Sequence, residues 1–131
     1  MQRTPINPWS WSQGFGYNQG EVIEASRRHL SIAGQTAVDG DGQPQHADDM
    51  RAQMQLALAN VEAVLSAADM GLENLTKLQV YTVDIDATLQ NWDVIAASLG
   101  AAGVAPPVTL LGVTRLAWAE LQIEITAEAA D

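Results

Sequence analysis

The sequence of 131 residues contains no cysteine, which excludes disulfide bonds, thiolate metal sites and thiol catalysis. Basic residues are also scarce. Six lysine and arginine residues stand against 16 aspartate and glutamate residues, so the formal net charge is -10. A chain this acidic repels phosphate backbones and anionic membrane surfaces. Neither nucleic acid nor a membrane is therefore expected as a partner.

Long apolar runs are missing as well. No window approaches the ~20 apolar residues of a membrane span, and the first twenty residues contain no apolar stretch of signal-peptide length. These absences favour a cytoplasmic protein. The length predicts a single domain over residues 1–131. Within it, residues 1–16 are expected to form an arm, whose Trp9 and Trp11 pack on the same domain or on a neighbouring subunit.

Most of the remaining chain shows strand-like or helix-like periodicity. Apolar residues recur at steps of three or four from Ala47 to Asp69 and again over 87–99, and both patterns predict helices. Runs of alternating or β-branched residues predict strands. The predicted strands cover 20–26, 29–36, 75–84, 106–115 and 120–127, and the first two are expected to form a hairpin.

These elements follow the order β-β-α-β-α-β-β, which predicts an α+β fold with one sheet and two helices on one of its faces. The strand at 106–115 is apolar on both sides, with Val108 on one side and Leu111 on the other. A strand of this kind is usually covered on both sides. Because only two helices are available, we expect another subunit to cover the second face of the sheet.

Neither a metal nor a cofactor is expected. His46 precedes Asp48 and Asp49, but a single histidine beside acidic residues is more typical of a solvated helix start than of a metal site. The DGDG sequence at 39–42 predicts a turn, because the later positions of a calcium loop do not follow it. The serines lack a nucleophile-elbow context, and there is no phosphate-binding loop.

Five segments follow one another with a consistent spacing. They are GFGYNQG at 14–20, IAGQT at 32–36, the block from Gln53 to Ile85, APPVTLLGVTRL at 105–116 and LQIEITA at 121–127. In this order they resemble the motifs of the reactive-intermediate deaminase family, known as RidA or YjgF. Gly16 stands where the family usually has proline, and Ala33 replaces a serine. The resemblance covers nearly the whole chain from residue 14 onward.

The resemblance implies a chorismate-mutase-like homotrimer whose sheets pack inward and whose clefts lie between subunits. Deaminases of this family hydrolyse enamines and imines. In them an arginine binds the substrate carboxylate, and a glutamate positions or activates water. Glu124 matches the glutamate, but Val108 takes the place of the arginine. Thr109 follows where the family has serine, and Arg115 matches a separate family arginine.

The missing arginine changes the expected substrate. An arginine–carboxylate pair is bidentate and charge-assisted, whereas valine offers only apolar contact. We therefore expect a small enamine, imine or related reactive metabolite other than the usual iminoacids, bound in an intersubunit cleft. Glu124 is the predicted catalytic residue. The predicted substrate-binding residues are Tyr17, Gln35, Asn91, Trp92, Val108 and Thr109.

Other functions stay open at this point. A cleft without its charged residue is also typical of a non-catalytic trimer that binds a small metabolite or another protein. A ribonuclease activity has been attached to the family, and the net charge of -10 disfavours it. Without the resemblance, Glu124 would be interpreted as solvent-facing. The ordinary roles of Tyr17, Gln35 and Thr109 would be packing, backbone hydrogen bonding and strand formation.

Overall fold

The computed structural model describes residues 1–131 and contains six strands, three α-helices and two short 3₁₀ helices. The strands are β1 (Gln2–Ile6), β2 (Gly20–Glu24), β3 (His29–Thr36), β4 (Leu75–Thr82), β5 (Val108–Gly112) and β6 (Ile123–Ala130). The α-helices are α1 (Met50–Ala67), α2 (Ile85–Gln90) and α3 (Asp93–Ala101). The 3₁₀ helices cover Trp11–Phe15 and Leu72–Asn74. The predicted α+β class is confirmed.

The core lies between a four-stranded sheet and the helices. The strand order is β3-β6-β4-β5, with β6 antiparallel to both of its neighbours and β5 parallel to β4. The predicted alternation along the last strand is confirmed, because Ile123, Ile125 and Ala127 are buried in the core. They belong to the same apolar cluster as Met54 and Leu65 of α1. None of the helices combines the length and the apolar character that crossing a membrane requires.

The other face of this sheet is covered by no helix, and we refer to it as the open face. Successive side chains of a strand point to opposite faces of the sheet, so the residues that alternate with the buried core residues lie on the open face. The open face carries Lys77, Gln79, Tyr81, Thr109, Leu111, Glu124, Thr126 and Glu128. Its side chains are exposed or half-buried in the single chain.

The expected hairpin between residues 20–26 and 29–36 is wrong. β2 pairs instead with β1, antiparallel, in a separate two-stranded sheet, and β3 pairs with β6. The expected arm over residues 1–16 thus contains a strand and a 3₁₀ helix. The alternation within a strand fixes which face is buried but not which strand it pairs with, so the pattern alone could not exclude β1 as the partner.

The second predicted helix, over 87–99, is interrupted and forms α2 and α3. α2 begins after Asp84, whose side chain accepts a hydrogen bond from the Ala87 amide. It ends where the Asn91 amide side chain donates to the Ala87 carbonyl at 2.8 Å. Side-chain bonds of this kind compete with helix propagation. The interruption places Trp92 at the start of α3, next to the first 3₁₀ helix.

The Arg3 side chain fastens the small sheet to the start of β4 in the large one. The Arg3 guanidinium donates to the Glu21 carboxylate at 2.9 Å, and the Glu21 side chain is only 3% exposed. The same guanidinium donates to the Leu75 carbonyl at 2.7 Å and to the Glu73 carbonyl at 2.8 Å. β1 and its partner β2 are therefore held against the start of β4. The segment that connects β1 to β2 is held in the same way, because it begins and ends in these two strands.

Replacing Arg3 with alanine is expected to lower the free energy of unfolding by about 3 kcal/mol, because it leaves a buried carboxylate without its partner. Urea denaturation at one fixed protein concentration measures the change. Lys77→Ala is the matched control, since the Lys77–Glu128 pair is long, at 3.5 Å, and exposed. That control is expected to cost less than about 1 kcal/mol. Equal losses in the two variants would contradict the anchoring role of Arg3.

Candidate functional site

An apolar cavity of about 170 Å³ lies beside β5, the edge strand of the four-stranded sheet. We refer to it as the β5 cavity. Its lining comes from the first 3₁₀ helix and the residues after it, from α2 and the start of α3, and from β5. The lining residues are Trp11, Phe15, Tyr17, Leu89, Trp92, Val108 and Leu110. No charged side chain is among them.

Gly16 turns the chain at the wall of the β5 cavity. It ends the first 3₁₀ helix with φ at 84°, in the left-handed region that favours glycine. A Cβ at this position would lie 3.3 Å from the Cβ of Ala96 in α3. Proline holds φ near ~-65° and could not adopt this turn. Gly16 therefore allows the local path that brings both Phe15 and Tyr17 to the cavity.

Direct contacts hold the aromatic side chains of the β5 cavity in place. The Trp92 indole N–H donates to the Phe15 carbonyl at 3.0 Å. Trp11 and Tyr17 pack edge to face, with their ring centroids 6.2 Å apart. The Arg51 side chain donates twice to the Asp93 carboxylate, at 2.9 and 2.7 Å, which fixes the residue after Trp92. The hydrogen bond from Arg51 also holds the pKa of Asp93 below its ordinary value.

Glu124 lies on the open face, at the centre of the sheet. It pairs with Tyr81 of β4 on one side and Thr36 of β3 on the other. Its side chain crosses Gly34, which lies in a β-bulge of β3. A Cβ on Gly34 would lie 2.5 Å from Oε1 of Glu124. None of the four ion pairs of the chain includes the Glu124 carboxylate.

The other predicted site residues divide between these two places. Tyr17, Trp92 and Val108 meet in the β5 cavity. Thr109, the next residue of β5, points to the open face and pairs with Gln79. Gln35 Nε2 donates to the Ala33 carbonyl at 3.1 Å and so spans the bulge beside Gly34.

Asn91 lies in neither place. Its side chain binds the end of α2, and the Arg51 guanidinium approaches its amide oxygen at 3.5 Å. Within one chain the structure therefore separates the predicted catalytic residue from the three predicted substrate-binding residues of the β5 cavity, Tyr17, Trp92 and Val108. Val108 pairs with the core residue Leu78, whereas Glu124 pairs with Tyr81 on the open face.

Sequence reasoning missed several residues of these surfaces. Leu110 could have been found, because it alternates with Val108 along one strand and must share its side. Trp11 was expected to pack on the domain or on a neighbouring subunit, but it was not predicted to line a binding cavity. Phe15, Leu89 and Gly34 carry no local signal, since their roles depend on contacts between distant segments. No three histidine, aspartate or glutamate side chains come together in a group that could hold a metal ion.

The contact between Gly34 and Glu124 is testable by a double-mutant cycle on stability. Gly34→Ala alone is expected to lower the free energy of unfolding by about 1 kcal/mol, because the new methyl group overlaps the Glu124 side chain. In a Glu124→Ala background this cost is expected to vanish, giving a coupling energy of about 1 kcal/mol. Thermal unfolding measures all four proteins.

The control for this cycle is Gly40→Ala, since a Cβ at Gly40 has nothing within 4 Å. We expect no coupling between Gly40→Ala and Glu124→Ala. If the cost of Gly34→Ala is the same with and without the Glu124 side chain, the carboxylate does not lie over the bulge.

Comparison with known proteins agrees with this architecture. The family model described as Endoribonuclease L-PSP matches residues 13–131. The crystal structure of YyfB from Yersinia pestis, a protein of unknown function in the conserved Rid family, is 36% identical and covers 99% of each chain, with a TM-score of 0.84. No curated protein matches the sequence.

Two further solved structures share the fold at lower identity. Rv2704 from Mycobacterium tuberculosis, a member of the YjgF/YER057c/UK114 family, is 26% identical with a TM-score of 0.65, and the match covers 99% of this chain and 100% of that chain. TdcF from E. coli, solved with bound serine, is 26% identical with a TM-score of 0.71, over 88% of this chain and 87% of that chain.

Proposed function

We propose that this chain, which belongs to the YjgF/RidA family of endoribonuclease L-PSP proteins, is a hydrolytic deaminase-like enzyme. Its substrate would be a small imine or enamine, or a related reactive metabolite, other than the usual iminoacids. Its site would be a cleft between two subunits of a homotrimer, in the cytoplasm. The catalytic group would be Glu124, and Val108 would contact the substrate where the family has its arginine.

The Glu124 carboxylate is the observation that carries this proposal. It belongs to no ion pair, and it lies over a glycine at a bulge, where the missing side chain of Gly34 leaves room for the carboxylate. Hydrolysis of a C=N bond requires water to attack the carbon while a proton moves to the nitrogen. A carboxylate can accept the proton from water and return it to the departing nitrogen. The products are a carbonyl compound and ammonia.

The need for two subunits follows from the separation of Glu124 and the β5 cavity. These lie on opposite faces of one sheet, so a single chain cannot apply the carboxylate to a molecule in the cavity. The open face also carries an exposed aliphatic side chain, that of Leu111, which is 47% exposed and lies beside the aromatic side chain of Tyr81. Packing of open faces in a trimer would bury this surface. The Glu124 of one subunit would then complete the cavity of its neighbour.

The trimer predicts a measurable mass. Light scattering on the purified protein is expected to give three times the mass of one chain. Leu111→Lys is expected to shift the protein towards the monomer, because it places a charge in the proposed interface. Val22→Lys is the matched control, since Val22 is a strand residue of similar exposure, 45%, on the small sheet. A wild-type monomer at working concentration would overturn the trimer.

The catalytic role of Glu124 predicts a loss of activity. We expect Glu124→Gln to slow ammonia release from imines generated in situ by an amine oxidase by about 100-fold or more, the usual effect of losing a general acid–base group. Glu128→Gln is the matched control. It makes the same change on the same face of β6, where Glu128 pairs with Lys77 on the surface. If both variants keep the wild-type rate, Glu124 is not the catalytic group.

One observation favours a second function. The β5 cavity has no charged side chain, and an apolar cavity can bind a ligand without any reaction. A non-catalytic trimer that binds a small metabolite or a protein would show ligand binding with no acceleration of imine hydrolysis. A ribonuclease, which the family description names, is less compatible with a net charge of -10, because the chain would repel the phosphates of RNA.

A further inference from the structure

We infer, on the basis of the function proposed above, that the substrate is an imine that carries an uncharged, ring-sized apolar group next to its C=N bond and has no carboxylate. The apolar group would bind in the β5 cavity, above Val108. The absence of an arginine at position 108 excludes a carboxylate partner but does not by itself define the group that binds there.

The size of the β5 cavity limits the group that it can take. The cavity measures about 170 Å³. An apolar cavity of about 150 Å³ in a protein remains free of water and binds benzene. One six-membered ring therefore fits inside the β5 cavity, and any larger part of a ligand would extend out of its mouth. The carbon that bears the nitrogen would remain at the mouth of the cavity.

The lining determines the polarity of that group. Four aromatic and three aliphatic side chains form the wall, and none carries a positive charge that could form an ion pair with a carboxylate. The Trp92 N–H, a potential donor, is already used by the Phe15 carbonyl. A substrate carboxylate placed here would lose its hydration and gain no charged partner, which is unfavourable. The cavity therefore selects against the iminoacids that an arginine at position 108 would bind.

The same rings could attract a cation, because the faces of aromatic side chains bear partial negative charge. Two features favour an uncharged ring instead. The floor consists of Val108 and Leu110, and Leu89 closes one side, so three of the seven lining residues present no aromatic face. No acidic side chain lines the cavity to balance a buried positive charge.

Binding of the reaction's carbonyl product tests the substrate class independently of catalysis. Hydrolysis of the imine of acetophenone would give acetophenone and ammonia. Phenylglyoxylate has the same ring and carbonyl group but carries a carboxylate in place of the methyl group. Calorimetry on the full protein is expected to show acetophenone binding at least 10-fold more tightly than phenylglyoxylate. Equal affinities, tighter binding of phenylglyoxylate, or no binding of acetophenone would overturn the inference.

Two variants locate the binding at the β5 cavity. Val108→Arg is expected to reverse the preference between the two ligands, because it restores a carboxylate partner to the lining. Trp11→Ala covers the case in which the buried arginine prevents folding. Trp11 is 60% exposed, so its removal opens the cavity wall without emptying the core, and acetophenone affinity is expected to fall about 10-fold. Val22→Arg is the control and is expected to change neither affinity.

Ammonia release separates failure of this inference from failure of the proposed reaction. An amine oxidase acting on 1-phenylethylamine generates the ring-bearing imine, and the same assay with an amino-acid oxidase acting on alanine generates 2-iminopropanoate. Faster hydrolysis of 2-iminopropanoate, with Glu124→Gln inactive, would support the reaction and overturn the substrate class. Binding of acetophenone, with Glu124→Gln as active as wild type, would support the cavity preference and overturn the reaction.

Discussion

The alternation of side chains along β6 is the constraint on which both the core and the candidate chemistry depend. β6 lies between β3 and β4, and its apolar side chains meet α1 in the core. A shift of one residue in its register would expose Ile123 and Ile125 and bury the Glu124 carboxylate, at a large cost in free energy. Packing of the core therefore fixes the position of the carboxylate on the open face, and no contact specific to Glu124 is required.

The β5 cavity has a different origin, because it is assembled from segments that are distant in the chain. Arg3 fastens β1 to the start of β4, and Gly16 allows the left-handed turn that follows the first 3₁₀ helix at the cavity wall. Trp92 reaches it because the helical pattern over 87–99 is interrupted at Asn91. The contacts that fasten these segments to the sheet are also the ones that shape the cavity.

These origins explain how much of the structure could be predicted from sequence. α1 and β6 are long and periodic, so their type and their buried faces were predicted correctly, although β6 begins and ends three residues later than the predicted 120–127. β1 was not, since its sequence QRTPI contains a proline and no alternation. The break before α3 was missed because the apolar period continues through it and one side-chain hydrogen bond decides the outcome. The motifs located Tyr17 and Val108, but the contact of Glu124 with Gly34 depends on a bulge that no local pattern encodes.

The placement of Val108 and Glu124 on opposite faces of one sheet has a consequence for divergence. Within one chain the lining residues of the β5 cavity do not contact the Glu124 carboxylate, and residues that share no contact usually contribute independently to stability. Selection can therefore replace the lining of the cavity, one residue at a time, without disturbing the bulge that accommodates Glu124. In a fold of this kind the lining of the β5 cavity can therefore change in shape and charge while the Glu124 carboxylate keeps its position on the other face of the sheet.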